Sequence, residues 1–203
     1  MKAFERSLKA LTTLENVLVS ARNSFEEEKS KAIKLLREPT QKIGELREIF
    51  TATEAQAKQT FSETVKEDFA SVRENIRSVV TAAPPADFGV TLEAIKAAGK
   101  SISSAEASMY LEKYKGNYIA FRSLHEAITQ AGVKLDSYVL YPDGILEEMS
   151  QGEQMILNTG REYRPGSSSY MMALLQSDKN PILALSEKVE KFLDGRYSLE
   201  NEE

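Results

Sequence analysis

The stretch “GREYRPGSSSY” (160–170) holds the residues of this chain best suited to gripping a ligand. Arg161 and Arg164 supply forked cationic donors, and Ser167 and Ser168 supply hydroxyls ahead of a further helix. Such a set suits a phosphate or a carboxylate. No base is visible for Ser167, Ser168 or Ser169, so nothing activates them as nucleophiles. The plain alternative is a solvated connector.

Other residues with chemical potential are weaker. His125 is the only histidine and lies in a tyrosine-rich apolar stripe. No carboxylate or nucleophile can be assigned to orient it, so a half-buried structural role is expected. “AAGKS” (97–101) ends like a phosphate-binding loop. However, Ala94 stands where the pattern needs its first glycine, and no strand precedes it. Asp143, Glu147, Glu148 and Glu153 form an acidic group whose spacing does not by itself converge oxygens on a cation. No catalytic residue, cofactor-binding residue or metal ligand is therefore assigned. The chain has no cysteine, which removes disulfides, thiol nucleophiles and cysteine-ligated zinc.

Behind these residues stand mostly helices. Residues 1–80 are rich in Ala, Leu, Glu, Lys, Gln and Arg, all good helix formers. One apolar stripe runs Phe4, Leu8, Leu11, Leu14, Leu18, Ala21, Phe25. Another runs Ile43, Leu46, Phe50, Ala57, Phe61, Val65, Phe69, Val72, Ile76, Val79. Spacings of three and four put each set on one helix face. Pro39, in “LREPTQKI”, separates the two stripes. Either the chain reverses there into an antiparallel, coiled-coil-like hairpin, or it kinks and continues. The hairpin is preferred because each stripe needs a partner.

“AAPPADFG” (82–89) stops the second helix, and the composition changes across it. All eight Tyr lie at or after Tyr110, and nine of the ten Gly lie at or after Gly89. The expected organisation is a long helical hairpin over 1–81, a Pro-rich joint over 82–89, a compact mainly helical region over 90–197 and an acidic tail over 198–203. A plain inter-helix loop at 82–89 is the alternative. Downstream, the pattern predicts helices over 91–99, 103–132, 145–158, 170–176 and 181–193. Ser103 or Ser104 can cap the second of these, with Glu106 placed for a capping box if Ser103 is the cap, and Asn180 is placed as the cap before Pro181. “SYVLY” (137–141) has β character, “YPDG” reads as a turn or a cap at Asp143, and 159–169 reads as loop. The fold class is mostly all-α with at most a short β element.

Lys and Arg number 26 against 31 Asp and Glu, a net charge of −5. Residues 1–80 are near neutral, and the rest carries the acidic excess. Neither part has the positive field that phosphate-backbone binding needs, so nucleic acid is a disfavoured partner. No apolar stretch is long enough to span a membrane and no secretory leader is expected, which fits a cytoplasmic setting. The expected function is non-enzymatic: a helical structural or protein-interaction protein, such as an assembly or adaptor factor. Leu11, Leu18, Phe25, Phe61, Val65, Phe69 and Ile76 are its candidate interaction stripe, and self-association into a homo-oligomer is expected. The alternative is a small regulatory module that binds an anion through 160–170.

Overall fold

The computed structural model describes residues 2–135, 137–166 and 169–200. Helix α1 runs Glu5–Leu35 and α2 runs Thr40–Thr81. There follow α3 (Phe88–Ala98), a 3-10 turn (Gly99–Ser101), α4 (Ser104–Lys113), α5 (Tyr118–Gln130) and β1 (Ser137–Val139). The order closes with α6 (Pro142–Glu162), α7 (Tyr170–Leu175), α8 (Pro181–Leu193) and β2 (Ser198–Glu200). The chain forms two compact units. One comprises 1–70 with 150–184, the other 71–149 with 185–203.

The first unit is built on the hairpin. Pro39 reverses the chain and does not merely kink it. Phe4 stacks on Phe69 with centroids 4.3 Å apart, and Phe25 meets Phe50 at 5.7 Å. Residues that ascend α1 thus meet residues that descend α2, which is antiparallel pairing. Leu11, Leu14, Leu18, Phe61, Val65 and Phe69 are buried by this contact and by what packs on it. The remaining cover comes from the second half of α6 and from the segment after it. Gly160 approaches the Phe61 ring so closely that a Cβ would overlap it. Tyr163 and Gln176 reach Glu15, the latter at 2.7 Å. The stripe expected to stay available for a partner is therefore largely spent inside the chain. Among those in this unit only Phe25 is left half-buried.

The second unit has an aromatic centre. Tyr118, Phe121, Phe192 and Tyr197 meet with ring centroids between 5.2 and 5.7 Å. Ile76, from the same expected stripe, is buried here too. β1 and β2 pair antiparallel, with Val139 opposite Ser198, and Leu140 N–H donates to the Tyr197 carbonyl at 2.7 Å.

Several boundaries differ from the sequence reading. The helix expected over 103–132 is two helices. The chain turns at 114–117, and Asn117 restarts it by accepting from Ala120 N–H at 2.9 Å. α3 begins at Phe88, three residues earlier than expected, so the proline-containing joint shrinks to 82–87. α6 begins at Pro142, whose fixed φ suits a first helical position. Its run to Glu162 leaves neither a turn at 141–144 nor a loop at 159–162. Residues 198–200 belong to β2 and are not tail, whereas 201–203 lie outside the described residues. The two units also divide within α2, α6 and α8, not at the joint. Two cap readings hold. Ser103 and Glu106 form the capping box, and Asn180 accepts from Ile182 N–H at 2.8 Å.

Candidate functional site

The first unit carries an open groove of about 540 Å³ on one face of the hairpin. Leu14 and Phe61, both nearly fully buried, form its floor. Its walls are mostly short side chains, Ala10 and Thr13 from α1 and Thr53, Ala57, Thr60 and Thr64 from α2, with Val17 and Gln56 beside them. The helical repeat explains the alignment, since 53, 57, 60 and 64 recur every three or four residues.

The threonines look polar but present little polarity. Thr13 Oγ1 donates to the Lys9 carbonyl at 3.0 Å, Thr53 Oγ1 to the Ile49 carbonyl and Thr64 Oγ1 to the Thr60 carbonyl, each at 2.9 Å. These three hydroxyls are thus satisfied by their own helices, and their methyls are what remains for the groove. At the root end stand Arg6 and Lys9, with Lys9 paired to Glu5 at 2.7 Å. Toward the tip, the same row of α2 continues to Ile49, which is 62% exposed. Leu35, Leu36 and Ile33 near the tip are also exposed.

The sequence-singled arginines lie elsewhere in this unit. Arg161 and Arg164 line a recess of about 660 Å³ together with Arg22, Lys58, Phe25 and Phe50. Three carboxylates, Glu26, Glu54 and Glu162, stand among these four cations. Lys58 pairs with Glu54 at 2.8 Å and donates to the Arg161 carbonyl at 3.1 Å, while Arg22 donates to the Pro165 carbonyl. Arg161 sits in the last turn of α6, where a cation complements exposed carbonyl oxygens. Ser167 and Ser168 lie outside the described residues. Ser169 caps α7 by accepting from Met172 N–H at 3.3 Å.

His125 is half-buried, and its ring lies 6.3 Å from Phe121. The lysine and serine of “AAGKS” fall in the 3-10 turn after α3, not before a helix on a strand. Asp87 is a carboxylate that sequence reasoning passed over. It accepts from Lys113 Nζ at 2.6 Å and from the Tyr114 hydroxyl at 3.0 Å. These bonds hold its carboxyl below the usual range. Burial pushes the Tyr118 hydroxyl above its ordinary value, against a smaller pull from Arg122. That hydroxyl has no hydrogen-bond partner among the described residues.

The groove itself was also missed, because Ala and Thr at helical spacing carry no chemical signature. The available signal was a second row beside each apolar stripe, made of side chains too short to fill the space next to it. The chain matches no protein-family model, no curated protein and no solved structure. Among the described residues, no helix is long and apolar enough to cross a membrane.

Proposed function

We propose that the protein acts by contact, as a helical interaction protein whose working surface is the groove face of the α1–α2 hairpin. The observation that carries this reading is an apolar-lined groove open to solvent, continued along the same face by the exposed Ile49. Water in such a groove is released when an apolar side chain enters, and the hydroxyls of Thr13, Thr53 and Thr64, bonded to their own helices, demand no polar partner in return. Anion binding at Arg161 and Arg164 is less well supported. Its cations are interleaved with three carboxylates, and two of them already donate to backbone carbonyls.

A photo-crosslinking residue placed at Thr60, in cells that make the protein, tests the reading. Thr60 is an exposed wall residue, so its replacement should leave the fold intact. Adducts larger than the chain are expected from this position. The same residue placed at Lys66, six positions on and facing away from the groove, should give few. Equal or no adduct formation at the two positions would overturn the proposal.

A further inference from the structure

Resting on that reading of the groove as the working surface, we infer that the groove is also a binding site for a single-chain anionic amphiphile, namely a fatty acid. Its alkyl chain lies along the groove and its carboxylate meets Arg6 and Lys9. The lining of the groove, the placement of its charges and its length each point to this ligand.

The lining suits an alkyl chain. The floor of Leu14 and Phe61 is apolar, and Ala10, Val17 and Ala57 extend it up the walls. The hydroxyls of Thr13, Thr53 and Thr64 are bonded to their own helices. An alkyl chain brings no donor or acceptor of its own, so it leaves no polar group unmet there and gains by leaving water. A volume of about 540 Å³ falls within the range of small-molecule sites, roughly 300–1,000 Å³.

Charge stands at one end. Arg6 and Lys9 are cations of the lining, and among the described residues no carboxylate lines the groove. The recess at Arg161 is different in kind, because three carboxylates line it with its cations. Lys9 does meet Glu5 at 2.7 Å, and Arg6 meets Glu67 at 3.9 Å, but neither acid belongs to the groove. Both pairs are exposed, and the Arg6 contact is longer than a hydrogen bond. Pairs of this kind contribute little and give way readily to another anion. The Arg6 and Lys9 side chains are 50% and 75% exposed, so a carboxylate held by them stays in water and avoids the cost of burying a charge.

Length sets the size of the chain. Arg6 to Val17 on α1, and Thr64 to Thr53 on α2, each span roughly 17 Å of helix. Carbon–carbon bonds of about 1.5 Å meeting at about 111° advance an extended chain by roughly 1.25 Å each. A chain of about 14 carbons therefore runs the groove from its cations to Val17. A groove filled in this way has no room for an apolar side chain of another protein, so the ligand and the protein contact exclude each other.

Isothermal titration of the purified full chain with saturated fatty acids, from octanoate to hexadecanoate and each below its micelle concentration, tests this directly. Binding is expected to saturate at one ligand per chain. It should tighten roughly two- to fourfold with each methylene and level off near about 14 carbons, where further carbons leave the groove. Tetradecyltrimethylammonium carries the same chain on a cationic head. It should bind about tenfold more weakly than tetradecanoate, the product of an attraction lost and a repulsion gained at exposed charges. The double variant Arg6→Gln/Lys9→Gln should lose that preference and keep its helical circular dichroism, since both side chains are exposed. Ala57→Leu puts a larger side chain into the groove and should weaken both amphiphiles by about tenfold or more.

No saturable binding, equal binding of the two head groups by the wild type, an undiminished preference in the double variant, or full affinity in Ala57→Leu would each overturn the inference. Thr60 adducts with another protein in cells, together with no fatty-acid binding, would refute the ligand and leave the contact reading standing. Fatty-acid binding with no such adducts would support the ligand and refute the contact reading.

Discussion

Asp68 does more for the start of α1 than any residue of α1 itself. A helix leaves its first four N–H groups without partners. Phe4, at the cap position, has no side-chain acceptor to offer and sits at φ 63, a conformation costly for a bulky residue. Two contacts hold the segment. Phe4 is fully buried and stacks on Phe69, and the Asp68 carboxylate accepts from Ser7 N–H at 2.9 Å and Ser7 Oγ at 2.7 Å. Both Ser7 and Asp68 are buried. Asp68→Ala should leave two buried donors unmet, at a cost of about 2–4 kcal/mol by denaturant titration, several times the loss of an exposed ion pair. Asp68→Asn, which keeps one acceptor, should cost less. Equal, negligible effects in the two variants would show that water meets Ser7 just as well. Nothing in the sequence announced this pair, because its members stand 61 positions apart and each alone is an ordinary polar residue on a helix.

At the scale of elements, periodicity carried the reading a long way. The two stripes of residues 1–80 foretold both long helices, while Pro39 left reversal and kink open and only the stripes' need for partners favoured reversal. One failure was a helix that broke early, at 114–117, and another was a helix that continued through residues that usually end one. “TGREY” reads as loop, yet α6 runs through Thr159, Gly160 and Arg161. The reason is tertiary: Gly160 is the point where α6 comes down on the Phe61 ring, and only a residue without a Cβ fits. Helix propensity would favour alanine at such a site by about 1 kcal/mol. Gly160→Ala should nevertheless destabilise the protein, by roughly 1–3 kcal/mol, because the ring must shift within a packed core. Chemical denaturation reads the sign. A net gain in stability would mean that α6 relaxes freely away from the hairpin. The groove on the hairpin was hidden for the related reason that small residues are informative only once their neighbours are known.

For the molecule as a whole, composition pointed to a change at 82–89, whereas contact divides the chain differently. The hairpin's unit takes in residues 150–184, which no local feature of the sequence assigns to it. Long-range return of the chain is decided by which buried surfaces fit, and a pattern of one helix face does not name its partner. The joint still has a definite structure. Asn117 Nδ2 donates to the carbonyls of Ala82 and Ala83, at 3.1 and 2.9 Å, while Asn117 Oδ1 caps α5. A single side chain thus starts one helix and fastens the segment that ends another. Asn117→Asp separates these roles: it retains the capping oxygen, which serves about as well from aspartate, and removes both donors. Each lost bond is worth about 0.5–1.5 kcal/mol, so global stability should fall only modestly. Opening of 82–87 should become several-fold more frequent, and limited proteolysis should cut there correspondingly faster than in the wild type. Cleavage at an unchanged rate would mean that the proline pair, and not Asn117, keeps this segment in place.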